Sequence, residues 1–182
     1  MKTKKLLLVT SLAILLSACG GNTENKTEAK KAETENSSEA DYSQMQKVSL
    51  TEYNIPAEIF IPNESKGKAM ITENASGGVE IKVGDRFGIE VVPFGLSKDE
   101  FKAELESDLV YSIEYLEEDE QSILYKKSIK DSDIAPEYHF FLETEINGDL
   151  YEVKSLNEME FNESAAGEML KSAKSLKGEA IS

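Results

Sequence analysis

"EYHFFLETEINGDLYEVKSL", Glu137 to Leu156, is the stretch that decides the fold class. Asn147 and Gly148 both accept positive φ, and they lie between two stretches carrying aromatic and aliphatic residues. An Asn-Gly pair in that setting predicts a two-residue β-hairpin turn. Strands joined so tightly must run antiparallel.

The same logic extends towards the N-terminus. In "VEIKVGDRFGIEVVPF", residues 79–94, Val79, Ile81 and Val83 alternate with charged residues. Phe87, Ile89 and Val91 continue the period of two, which predicts half-buried strands. Gly84-Asp85 predicts the intervening turn, with a wider loop ending at Phe87. Further short strands are expected in "KVSLTEYN" from Lys47, in "AEIFIPN" from Ala57, and at Ala69–Thr72. Two more are expected at Val110–Leu116 and Ser122–Ile129, joined by the acidic "EEDEQ".

Two segments change period. In "SKDEFKAELESDLVY", Ser97 and Glu100 form a capping-box pattern, and Phe101, Leu105 and Leu109 fall on one helical stripe. Glu100, Glu104 and Asp108 fall on another, which reads as a solvated face rather than a metal-binding stripe. In "NESAAGEMLKSAKSLKG", Asn162 is placed to cap a helix. Its apolar face would carry Ala165, Ala166, Met169, Leu170, Ala173 and Leu176, with Gly178 as terminator. The expected fold is α+β: a largely antiparallel sheet of about six or seven strands flanked by helices.

The run "IPAEIFIPNES", "IKVGDRFGIEVVPF", a helix, "SILYKKS", "YHFFLETEINGDLYEV" and "FNESAAGEMLKSAKSLK" resembles the Mog1/PsbP-like and DcrB-like α/β/α sandwiches over about residues 48–177. Phe161 to Ser175 carries most of the likeness. The acidic loops and the lack of tryptophan depart from common members. The resemblance implies a binding or accessory factor without a shared active site.

The N-terminus has a different character. Lys2, Lys4 and Lys5 precede an apolar run, Leu6 to Leu16, broken only by Thr10 and Ser11. This is the shape of a secretory signal, and it is short for a membrane span of about 20 residues. Leu16-Ser17-Ala18-Cys19 resembles the lipobox of bacterial lipoproteins. That resemblance implies cleavage before Cys19 and lipid attached to it. Several acyl chains, at about 0.8 kcal/mol per buried methylene, would hold the protein on a membrane outside the cytoplasm. Gly20 follows the cysteine where an aspartate would retain an enteric-type lipoprotein in the inner membrane, so the outer membrane is favoured where there is one.

The expected organisation is therefore a signal at 1–18, a polar tether at 19–46 and one globular domain at 47–182. Residues 20–41 hold no aromatic residue and no aliphatic one larger than alanine. Such a segment cannot offset its ordering entropy by burial. A flexible tether of that length reaches roughly 25 Å.

Charge narrows the partners. The formal charge is −15, and losing Lys2, Lys4 and Lys5 with the signal takes it to about −18. Phosphate neutralisation needs Lys and Arg, so nucleic acid is not an expected partner. With the single cysteine lipidated, neither a disulfide nor thiol catalysis remains. His139 is the only histidine, which excludes the common zinc sites, and it reads as a strand residue facing solvent or a helix. No G-x-S-x-G elbow, EF-hand loop or phosphate-binding loop occurs. The acidic groups Glu117–Glu120 and Asp131–Asp133 lack the wrapped loop that calcium needs and read as weak, adventitious cation binders at most. Tyr111, Tyr115, Tyr125, Tyr138 and Tyr151 read as packing between sheet and helices. No cofactor, metal or catalytic residue is expected. The favoured reading is a non-catalytic envelope factor with a protein partner. The alternatives are a small-molecule carrier with a tyrosine-lined pocket, and an enzyme using acidic residues.

Overall fold

The computed structural model describes residues 41–179. Leu16, Ser17, Ala18 and Cys19, the signal and most of the expected tether lie outside the described residues.

A seven-stranded antiparallel sheet forms the middle of the fold. A first meander comprises β3 (Ala69–Glu73), β4 (Val79–Val83) and β5 (Phe87–Pro93). Helix α1 (Lys98–Ser107) then crosses to the far edge. A second meander returns through β6 (Tyr111–Glu118), β7 (Ser122–Ile129), β8 (Glu137–Ile146) and β9 (Asp149–Ser155). Pairing of β9 with β5 unites the two meanders in the order β3-β4-β5-β9-β8-β7-β6. The Asn-Gly turn forms as expected, with φ of +56° at Asn147 and +93° at Gly148.

Strand alternation explains the run "HFFL". Phe140 and Leu142 face the main core with Leu124, whereas Phe141 faces a second cluster with Ile123, Tyr125 and Phe101. Phe101 brings α1 onto that side, its ring stacked 4.2 Å from Phe141. The main core lies against α2 (Glu163–Ala173) through Ala166, Met169, Leu170 and Ala173. Beside α2 lies a small sheet of β1 (Met45–Ser49), β2 (Ala57–Pro62) and β10 (Lys177–Gly178). Helices therefore flank the sheet on both faces, and Ile59 and Ile61 of β2 complete the main core.

Both helix starts agree with the sequence. Ser97 and Glu100 form the reciprocal capping box, and the Asn162 side chain accepts from the Ala165 N–H at 2.9 Å. The helix ends differ. Asp108 turns out of α1 into extended backbone, so Leu109 leaves the stripe and is 88% exposed. Helix α2 stops at Ala173, and Gly178 does not terminate it; Gly178 instead pairs with Ala57. Where β10 ends, Ser172 of α2 and Ser175 just beyond it continue the ladder along β2. Ser175 Oγ accepts the Phe60 N–H at 2.9 Å, and the Ser172 hydroxyl donates to the Phe60 carbonyl. Buried polar backbone demands such partners.

Residues before the expected boundary at 47 also belong to the fold. Strand β1 begins at Met45, and the Tyr42 ring stacks on Phe60 at 4.8 Å. The Lys171 ammonium lies 5.5 Å from the Tyr42 ring centroid, a cation–π contact. After β1, Thr51–Tyr53 forms a single 3₁₀ turn rather than more strand, and Asn54 takes φ +59°.

Candidate functional site

His139 is 1% exposed and does not face solvent; its ring lies 5.7 Å from Tyr125 and 6.3 Å from Phe161. Its Nδ1 lies 2.9 Å from Ser155 Oγ, and its Nε2 lies 3.2 Å from Glu137 Oε2. A carboxylate only accepts, so Nε2 carries the proton and Nδ1 accepts from the Ser155 hydroxyl. Ser155 Oγ in turn accepts the Phe140 N–H at 3.3 Å. This Ser-His-Glu set has the residue types of a hydrolytic triad, but Ser155 is 2% exposed. Its oxygen knits β8 to β9 instead of facing substrate.

Burial pushes the His139 imidazole below its ordinary pKa, outweighing the Glu137 carboxylate that favours the charged ring. The folded state therefore prefers neutral His139. That stabilisation is complete above the unfolded value of about 6.5 and is lost as pH falls below it. Because His139 is the only histidine, the slope can be assigned. Urea midpoints should fall between about pH 7 and pH 5.5 in the natural protein, and His139→Gln should flatten that slope. An equal slope in the variant would show that another group titrates.

The acidic "EEDEQ" turn is a clasp. Lys174, from the end of α2, reaches Asp119 Oδ2 at 2.7 Å. Lys98 and Lys102, from α1, reach Glu118 Oε1 at 3.4 and 2.7 Å. The β6–β7 turn thus joins helices from both faces. Burial alone would raise the Asp119 carboxyl, but Lys174, the Gln121 N–H and the Ser122 hydroxyl and N–H hold it well below the usual carboxylate range. Asp131 and Asp133 are exposed. Among the described residues, no three His, Cys, Asp or Glu side chains are placed to hold a metal ion.

A depression lies at the C-terminal end of α2. It measures about 500 Å³ and is lined by Leu142, Thr144, Ala173, Lys174, Glu120 and Gln121, with Asp119 at its rim. It is a surface groove. The tyrosines do not converge on it: Tyr125 and Tyr151 are buried in separate clusters, and Tyr111 stacks under Lys127 at 3.9 Å.

One feature of this strand end escaped the sequence reading. Strand β5 ends at Pro93, and Phe94 takes φ +56° with 76% of its surface exposed. Beneath it, Glu152 of β9 is 3% exposed. Glu152 Oε2 accepts the Leu96 N–H at 2.8 Å. Its Oε1 lies 2.5 Å from the Lys154 ammonium, an ion pair without hydrogen-bond alignment. The apolar Phe94 between Pro93 and Gly95 was the available signal, since such flanks break a strand. A comparison with protein-family models finds no match to this chain, and neither does a comparison with curated proteins.

Proposed function

We propose that the chain is a bacterial envelope lipoprotein, held to a membrane through lipid on Cys19, whose folded domain binds or supports a protein partner without catalysing a reaction. The groove at the end of α2 carries this reading. Its apolar floor of Leu142 and Ala173 and its polar rim of Glu120, Gln121 and Lys174 lie open between β8, the β6–β7 turn and the end of α2, as suits a polypeptide segment. The reactive side chains support it too, because His139, Ser155, Asp119 and Glu118 are engaged in holding elements together. The carrier alternative would instead use a separate depression of about 210 Å³ lined by Tyr125, Phe101, Leu105 and Ile113.

Cys19→Ala tests the anchor. The variant is expected to lose radiolabelled palmitate and to move from the membrane fraction to the soluble fraction. Retention on the membrane would overturn the anchor assignment. Native mass spectrometry of the gently extracted lipoprotein tests the binding role. A specific polypeptide adduct supports it, whereas a stoichiometric small molecule would favour the carrier.

A further inference from the structure

We propose that Phe94 is a pre-set anchor by which the end of the sheet that carries it docks a basic segment of a partner protein. The proposal rests on the protein-binding reading above and names the kind of partner.

Phe94 combines two disadvantages. The left-handed backbone region is costly for a residue with a Cβ, and Gly or Asn would occupy it more cheaply. At 76% exposure the ring also adds little to the core. The conformation persists because the surrounding chain imposes it. The Phe94 N–H donates to the Leu150 carbonyl at 2.8 Å, and the Leu96 N–H is held by Glu152. The Lys98 N–H is held by Glu143. Gly95 lies so close to Glu152 that a Cβ there would sit 2.3 Å from the Glu152 Cβ. A strained, exposed, rigidly mounted aromatic ring is explained by a contact outside the chain. Rigid aromatic side chains dominate binding energy because little ordering entropy is lost on docking.

Charge gives the partner's chemistry. Asp149 adjoins Leu150, which receives the Phe94 N–H, and Glu145 lies opposite Leu150 on β8. Asp99, in the first turn of α1, and Glu120, in the β6–β7 turn, lie at the same end of the sheet. All four are exposed, and none forms an ion pair among the described residues. Lys98, Lys102, Lys174 and Lys177, the lysines near this end, are already engaged by Glu118, Asp119 and Glu58. An apolar socket flanked by Lys or Arg complements this surface and would be steered to it.

The test places the photo-reactive residue p-benzoylphenylalanine at position 94 of the full chain in intact cells. Position 109, on the opposite end of the sheet, serves as the control. Adducts from 94 are expected on one polypeptide, within a Lys- or Arg-rich segment. Their yield should fall at least tenfold when Glu145 and Asp149 are both changed to Lys. Phe94→Gly should leave the urea midpoint unchanged or raised, while carboxyl–amine crosslinks from this surface fall tenfold. Adducts to lipid, to a second copy of the chain or to an uncharged segment would overturn the proposal, as would a yield insensitive to charge reversal. A polypeptide captured from 109 but not from 94 would overturn the anchor and leave the binding reading standing. No polypeptide from either position would overturn both.

Discussion

Phe140→Ala is expected to lower the unfolding free energy by about 4 kcal/mol, a large part of the 5–15 kcal/mol typical of a domain. Phe140 is fully buried in the main core. Its neighbours sit on backbone that cannot close the gap. Leu124 lies opposite it on β7, and Ser155 lies opposite on β9, so ladders fix both sides. On the same core, α2 and the segment just after it are tied to β2 through Ser172 and Ser175. The vacated volume should therefore persist as a cavity, which puts the cost in the upper part of the range for such truncations. Equilibrium urea unfolding gives the number, with an unchanged m-value indicating that the denatured state is unaltered. Leu109→Ala is the matched control. At 88% exposure it should move stability by no more than about 0.5 kcal/mol. A cost below about 2 kcal/mol for Phe140→Ala would mean that α2 settles into the space.

The contrast between Phe140 and Leu109 shows which parts of the fold were legible in the sequence. Leu109 falls by helical period on the apolar stripe of α1, whereas Phe140 belongs to a stretch legible only as an apolar strand. Phe140 lies in the middle of a strand, where the pattern is local and reliable. Leu109 lies beyond a helix end, where Asp108 turns the chain outward. The Asn147-Gly148 turn and the Ser97 and Asn162 caps were legible because each rests on residues within a few positions of one another. The pairing of Gly178 with Ala57 and the stacking of Tyr42 on Phe60 depend on residues distant in sequence, so no local pattern announced them. The clasp at the acidic turn was not legible because its lysines come from two helices on opposite faces. Phe94 was legible only as an apolar residue between strand breakers; its strain follows from Glu152, which lies on another strand.

Gly67→Ala is expected to cost roughly 3 kcal/mol or more, for two reasons that act together. Gly67 has φ +143° and ψ 166°, a region open essentially to glycine alone. An added Cβ would also stand 2.6 Å from the Gly84 nitrogen and 2.7 Å from its Cα. Both are backbone atoms of the β4–β5 turn, so no side chain can rotate away. Gly84 is restricted in the same manner, with φ +57° and a Cβ that would meet the Lys66 carbonyl oxygen at 2.7 Å. Gly77 separates the two causes. It has φ +78° but nothing within 4 Å of an added Cβ, so Gly77→Ala should cost only about 1 kcal/mol. Urea unfolding of the two variants decides the matter, and equal costs would show that the turn yields to the methyl group. The difference also bears on cooperativity. Gly67 lies on the connection between β2 of the small sheet and β3 of the large one, so its contact with Gly84 seats that connection against the large sheet. If the contact couples the sheets, probes of β2 and of β9 should lose their shared transition in Gly67→Ala while retaining it in Gly77→Ala.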